Sequence, residues 1–167
     1  VVDGINSTGG IAVPRLLDVL NVEVIKLNCE PNGNFVHDPE PLERNLVELS
    51  KSVIKNNADL GIAVDPDVDR LAFIDEKVTY YGEEYTLIAC ADYVLNNNPG
   101  PTVSNLSSTK ALRELTEIKG CNYFYSAVGE VNVVEMMKSK NAVIGGEGNG
   151  GVIFPSIHYG RDALIGI

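Results

Sequence analysis

Two short stretches concentrate the side chains that could do chemistry. GIAVDPDVDR, residues 61–70, sets Asp65, Asp67 and Asp69 at alternate positions and follows them with Arg70. GGEGNGG, residues 145–151, sets Glu147 and Asn149 among five glycines. Carboxylates placed directly after an apolar run repel one another, and burying them unpaired is costly, so a cation should sit among them. On a straight strand the first and last would lie about 13 Å apart at ~3.3 Å per residue. Oxygens sharing one Mg²⁺ each sit about 2.0–2.1 Å from it, so the loop must curl, and Pro66 helps to end the strand. Hard oxygen ligands favour Mg²⁺ or Ca²⁺ over zinc. Arg70 matches phosphate oxygens in a bidentate way. A metal beside an arginine is the usual apparatus for stabilising charge on a transferring phosphoryl group, and phosphoryl transfer is the chemistry these residues point to.

Other readings of the aspartate loop compete with this one. Asp65, Asp67, Asp69 and Glu76 fall at the first, third, fifth and twelfth positions of an EF-hand loop. Arg70 then stands where the sharp turn needs glycine, and GIAV and LAFID flank the loop as strands rather than helices, so the EF-hand is rejected. A DxD-type phosphatase would use Asp65 as nucleophile, but the lysine and further acids it needs are not assignable. A non-catalytic divalent-metal-binding module and a plain solvated acidic turn are the blander alternatives. In the glycine stretch, a carboxylate and an amide at alternate positions suit hydrogen bonding to vicinal sugar hydroxyls, with glycines letting the backbone approach. Its bland counterpart is a glycine-rich hairpin with an incidental glutamate.

The elements that must position these loops alternate throughout. VVDGI reads as a strand and NSTGG as a turn, and IAVPRLLDVL reads as a helix with Pro14 in its first turn. VEVIKL is a strand, CEPNGNFVHDPEP a loop, and LERNLVELSKSVIKNN a helix with Leu42, Leu46, Leu49 and Val53 at helical spacing. LGIAV and LAFID are strands on either side of DPDVDR. After the turn at Glu76 to Val78 the plan repeats: helix YTLIACADYVLNNN, strand PTVSNL, helix STKALRELTEIK, strand CNYFYSA, helix VNVVEMMKSK. Strand AVIGGE, loop EGNGG and strand VIFP follow, and GRDALIGI opens a last helix. This alternation predicts an α/β fold: two similar three-layer α/β/α modules with mixed, mostly parallel sheets, over residues 1–79 and 80–167. In open α/β sheets ligands bind beyond the carboxyl ends of strands, where both loops fall, so a cleft shared by the modules is expected.

Composition bounds the partners. The chain has 167 residues, 44% of them hydrophobic and 22% charged, as in an ordinary globular protein. Its net charge of −10 disfavours nucleic acid and anionic membrane surfaces, both of which reward clustered Lys and Arg. No apolar run is long enough to span a bilayer. Three separated cysteines, Cys29, Cys90 and Cys121, form no CxxC pair and fit buried free thiols in a cytoplasmic protein. The chain opens on VVDGI without an initiator Met, as though a strand were already in progress, and reads as a segment of something longer.

DPDVDR followed by GGEGNGGVIFP resembles the α-D-phosphohexomutase family of phosphoglucomutases, phosphomannomutases and phosphoglucosamine mutases. VVDGINSTGG, LNCEPNGNF and ADLGIAVDPDVDRLAFID are similar to that family's second domain, and SAVGEVNVVEMM and HYGRDALIGI to its third. The resemblance implies a four-domain enzyme in which a phosphoserine of the first domain exchanges its phosphoryl group with hexose phosphate by way of a hexose bisphosphate. It implies that Asp65, Asp67 and Asp69 hold Mg²⁺, that Arg70 lies beside the phosphate, and that Glu147 and Asn149 bind sugar hydroxyls. Gly129, Glu130 and Arg161 join the substrate set, Glu130 standing where many members carry His. Val68 stands where Gly or Ala is usual, Asn149 where Ser is common, and Ser107 and Ser108 where some members offer Lys. Gly160, Arg161 and Asp162 open a helix that could help to bind an anion. The N-terminal phosphoserine domain and the C-terminal phosphate-binding domain are the partners the segment lacks, so the segment alone is expected to be inactive. His37 and His158 are read as surface or packing residues.

Overall fold

The computed structural model describes residues 1–167, which divide into two compact units, Val1–Glu83 and Glu84–Ile167. The first unit holds β1 (Val2–Asp3), α1 (Gly9–Val19), β2 (Lys26–Leu27), α2 (Val47–Asn56), β3 (Leu60–Val64) and β4 (Leu71–Asp75). The second holds α3 (Glu83–Asn97), β5 (Thr102–Asn105), α4 (Ala111–Ile118), β6 (Tyr123–Ser126), α5 (Glu130–Lys140), β7 (Ile144–Glu147), β8 (Gly151–Ile153) and α6 (Ala163–Gly166). The sheets have strand orders β2-β1-β3-β4 and β6-β5-β7-β8. In each, the first three strands are parallel and the last pairs antiparallel on the edge. The mixed, mostly parallel α/β architecture expected from the sequence is therefore present twice, with one topology. No helix is long and apolar enough to cross a membrane.

Strand alternation puts the helices on both faces. In β7 and β8, Ile144 and Val152 pack with Leu87 and Ala91 of α3 and Leu112 of α4. Ile153 turns the other way with Val103 of β5 and meets Val133 and Met137 of α5. In the first unit Ala63 and Ile74 pack against Leu49 and Val53 of α2, while Val64, one residue on, lies against Gly9 of α1. Both α2 and α5 end on an asparagine in the left-handed region, Asn57 at φ 49° and Asn141 at φ 50°. The next N–H groups, of Ala58 and Ala142, return to the carbonyls of Val53 (3.0 Å) and Met137 (2.9 Å). This Schellman closure turns the chain into β3 and β7, the strands that deliver the two loops.

Several elements differ from their expected bounds. The strand expected over VVDGI stops at Asp3, because Ile5 (φ 46°) and Asn6 (φ 54°) are both left-handed and swing the chain into α1. VEVIKL contributes only Lys26 and Leu27 as a named strand, at the sheet edge. Helix α1 begins earlier than expected, at Gly9, so Pro14 lies inside it rather than in its first turn. Gly10 in this first turn packs on the backbone of Cys29, where an added Cβ would come within 2.6 Å of the carbonyl oxygen. LERNLVELSKSVIKNN splits into a 3₁₀ turn over Glu43–Asn45 and α2, with Leu46 at φ −104° and ψ 22° between them.

Candidate functional site

The aspartate loop closes β3 onto β4. Asp65, wholly buried at the end of β3, organises it. Its Oδ1 accepts the backbone N–H groups of Asp69 and Arg70, both at 3.0 Å, and its Oδ2 accepts from Arg70 Nε at 2.8 Å. The N–H of Val68 donates to the Asp65 carbonyl at 3.2 Å, with Val68 itself at φ 62°. That left-handed residue makes the curl which the strand geometry demanded. Ser7 and Thr8, just before α1, clamp the loop from outside, their hydroxyls donating to the Pro66 carbonyl at 2.8 and 2.6 Å.

The curl brings the three carboxylates together: one oxygen from each of Asp65, Asp67 and Asp69 lies within 4.8 Å of the others. Ligands on a Mg²⁺ octahedron are about 2.9 Å apart when adjacent and about 4.2 Å when opposite, so the set surrounds a space of the right size and closes further around the ion. Its donors are all hard oxygens, and Asp67 is exposed and open to a ligand. Arg70 lies in the same group, its Nε 3.7 Å from Asp69 and its Nη1 3.3 Å from Glu40. Burial pushes the Asp65 carboxyl up, but the Arg70 and Asp69 N–H groups and the Arg70 charge outweigh it and hold the group below the usual value. Partial burial likewise opposes the Arg70 charge, and Asp65, Glu40 and Asp69 overcome it.

The glycine loop closes β7 onto β8 at the equivalent place. Gly145 and Gly146 belong to β7, and a Cβ on Gly145 would come within 2.7 Å of the Val103 carbonyl and the Met137 sulfur. These two glycines answer to sheet packing; the turn itself is made by Gly150 at φ 91°. Glu147 is 5% exposed. Its Oε1 accepts from Asn105 Nδ2 at 2.6 Å and from the Gly129 N–H at 3.3 Å, and its Oε2 accepts from Arg161 Nη1 at 2.9 Å. Glu130, the first residue of α5, accepts from the Arg161 N–H at 3.0 Å, and its other oxygen is 3.5 Å from Arg161 Nε. Asn149 turns inward on its own loop, its Oδ1 accepting from the Gly151 N–H at 3.2 Å.

The fold thus brings Asp65, Asp67, Asp69 and Arg70 into one cluster, and Gly129, Glu130, Glu147, Asn149 and Arg161 into another. The anion site expected at Gly160, Arg161 and Asp162 is already filled by the chain: Asp162 Oδ1 accepts the first N–H groups of the four-residue α6, from Leu164 (2.7 Å) and Ile165 (3.4 Å). The Arg161 side chain points to the two glutamates instead. His158 pairs with Asp162 at 2.9 Å. His37, expected at the surface or in packing, reaches the buried Asp3 at 3.1 Å. Three residues of these clusters escaped sequence reasoning: Glu40, Asn105 and Ser108 in its contact with the loop. Only Asn105 carried a usable signal, an amide ending a parallel strand ahead of SST.

Residues 1–81 match the family described as phosphoglucomutase/phosphomannomutase, alpha/beta/alpha domain II. Residues 82–167 match the same family's alpha/beta/alpha domain III. A phosphoglucomutase/phosphomannomutase of Thermococcus kodakarensis is 37% identical over 99% of the chain, which spans 37% of that protein. A probable phosphoglucosamine mutase of Methanosarcina barkeri is 36% identical over 93% of the chain and 36% of its own length. Among solved structures, a phosphoglucomutase/phosphomannomutase family protein of Burkholderia thailandensis superposes with a TM-score of 0.90 at 28% identity, covering 99% of this chain and 37% of that one. The chain therefore spans little more than a third of the relatives it matches.

Proposed function

The chain belongs to the phosphoglucomutase/phosphomannomutase family, and on that premise we propose that it forms the metal- and sugar-holding middle of a phosphohexomutase. The reaction is interconversion of hexose 1-phosphate and hexose 6-phosphate, with a phosphoserine on a preceding domain as carrier and a hexose bisphosphate as intermediate. Relatives named for glucose or mannose and for glucosamine match at nearly equal identity, 37% and 36%, which supports a hexose phosphate as the substrate class. The observation that carries the reading is the convergence of three carboxylate oxygens within 4.8 Å, beside Arg70, at the end of β3.

In this reading Asp65, Asp67 and Asp69 hold Mg²⁺, which when bound neutralises charge on the phosphoryl oxygens during transfer. Arg70 keeps Nε on Asp65 and turns its outer nitrogens to the phosphate. Its present partner there, Glu40, is half exposed, and a rim pair of that kind is worth only about 0–1 kcal/mol, so a phosphate displaces it readily. Glu147 accepts hydrogen bonds from sugar hydroxyls, and Asn149 both accepts and donates. Gly129, Glu130 and Arg161 complete the wall of that subsite. A DxD-type phosphatase is a weaker fit, because the cation paired with Asp65 is Arg70, where such an enzyme needs a lysine.

Calorimetric titration of the chain with Mg²⁺ tests the metal half of this reading. Asp67→Asn removes one of three ligand charges at an exposed position, and it should weaken binding at least about tenfold, ~1.4 kcal/mol. Unchanged affinity in the variant, or stabilisation by Ca²⁺ with no response to Mg²⁺, would refute it.

A further inference from the structure

Glu147 is not held by its own loop. Its Oε1 is fixed by Asn105, whose Nδ2 donates to it over 2.6 Å from the end of β5, 42 residues away in sequence. The other side of the same amide is equally committed. Asn105 Oδ1 accepts from Ser107 Oγ (3.0 Å), the Ser108 N–H (3.1 Å) and Ser108 Oγ (2.8 Å). Ser108 Oγ, having donated its proton to Asn105, accepts the N–H of Gly148 at 2.9 Å. A closed ring results: Asn105 to the Glu147 carboxylate, Glu147 to Gly148 along the chain, Gly148 to Ser108, and Ser108 back to Asn105.

The donor pattern fixes the ring's direction. A backbone N–H only donates and a carboxylate only accepts, so the amide oxygen must face Ser108 and the amide nitrogen must face Glu147. Asn105 is 3% exposed and Glu147 5%, so water does not substitute for either partner. The charged groups around the carboxylate are Arg161 on Oε2 and, through Arg161, Glu130 of α5; Glu84 of α3 lies against Gly148.

We infer that Asn105 and Ser108 are positioning residues for sugar binding. They lock Glu147 Oε1 and the loop backbone so that Oε2, shared with Arg161, is presented to hexose hydroxyls. This rests on the sugar-binding reading of the glycine loop given above. It adds that the loop's competence is set from β5 rather than from the glycines themselves.

Asn105→Asp is the discriminating variant. It preserves shape but sets a carboxylate 2.6 Å from Glu147, a contact two ionised carboxylates do not tolerate, and one shared proton restores the hydrogen bond. The readout is binding of glucose 1-phosphate to the ¹⁵N-labelled 167-residue chain, followed at the Gly129 and Gly148 amides and expressed as the ratio of variant to wild-type dissociation constants. The ratio should be about tenfold or more at pH 8 and should fall toward unity at pH 5.5. A ratio near unity at both pH values, or the same loss at both, overturns the inference while leaving the sugar reading standing. The titration is carried to concentrations at which weak binding without the phosphate-binding domain saturates, and a wild-type chain whose Gly129 and Gly148 amides do not respond there overturns the sugar reading and the inference with it. Ser108→Ala covers the case in which Asn105→Asp does not fold: it should weaken binding several-fold without pH dependence and shift the Gly148 amide, and wild-type affinity would overturn the inference.

Discussion

Replacing Val68 by glycine should make the first unit more stable, although it deletes a partly buried apolar side chain inside the metal loop. Val68 lies at φ 62°, where a β-branched side chain crowds its own backbone. Strained backbone positions of this kind cost roughly 1–3 kcal/mol. Glycine removes that cost, but its greater freedom in the unfolded chain takes back about 0.4–1 kcal/mol. Losing the valine methyls from a half-exposed position takes back at most about 1 kcal/mol. At mid-range values, about 2 kcal/mol gained against ~0.7 and at most ~1 lost, the balance is a gain of about 0.3–1.3 kcal/mol. In a unit the size of residues 1–83, each kcal/mol moves the midpoint by about 4–8 °C, so the expected rise is on the order of 1–10 °C.

Differential scanning calorimetry is the appropriate assay, since two units can melt as two transitions and only one should move. Asn tolerates the left-handed region better than any other residue with a side chain, so Val68→Asn should recover part of the gain. The expected order is Gly above Asn above Val. The Val68 N–H bond to the Asp65 carbonyl survives all three, so the loop keeps its curl. An unchanged or lower midpoint in both variants would refute the argument, because it would mean that Val68 is not strained at this turn.

Two further outcomes follow from the same geometry. Asp65 has its carboxyl held below the ordinary value of 3.8, so its contribution to stability is complete above that pH and is lost as the pH falls through the lower folded value. Asp65→Asn, which leaves Arg70 and two buried N–H groups facing a neutral amide, should therefore destabilise the first unit by about 2–4 kcal/mol at pH 7 and flatten its acid-side loss below pH ~4; urea titrations in chelator measure both, and equal acid profiles in the two proteins would refute the assignment. The purified chain by itself should not turn over hexose phosphate, because the proposed phosphoserine carrier lies on another domain. A coupled assay that found robust turnover free of contaminating mutase would sink that proposal.

Much of the fold was legible because its signals are local. Leu49 and Val53 in α2, and the apolar runs that became β3 and β7, carry their periodicity within a few residues. The misplaced bounds have causes that lie elsewhere in the chain. No local pattern announces left-handed Ile5 and Asn6 at the end of β1. The first turn of α1 carries a contact of Gly10 with Cys29 that only the tertiary fold brings near. The aspartate cluster was legible for the same reason that α2 was, since its members fall at alternate positions of one loop. Glu40 on Arg70 and Asn105 on Glu147 were not, being 30 and 42 residues from their partners.

The repeated topology explains why the hidden residues sit where they do. In both units the central parallel strand, β1 or β5, ends on a buried polar residue, Asp3 or Asn105, beside the strand that carries the working loop. Asp3 accepts from the Ile5 N–H in the turn after β1 and from Asn28 and His37, so it also gathers the chain that follows β2. Asn105 instead reaches across to Glu147 on β7 and, through Ser108, to Gly148. Polar side chains buried at the carboxyl end of such a strand must find their hydrogen-bond partners in the neighbouring loops. The same position therefore becomes an organiser in each unit, and its side chain decides which loop is organised. An acceptor carboxylate draws in donors from the segment after β2. An amide, donor on one side and acceptor on the other, can hold a carboxylate and a serine loop at once, and only the second arrangement aims a charged group from β7.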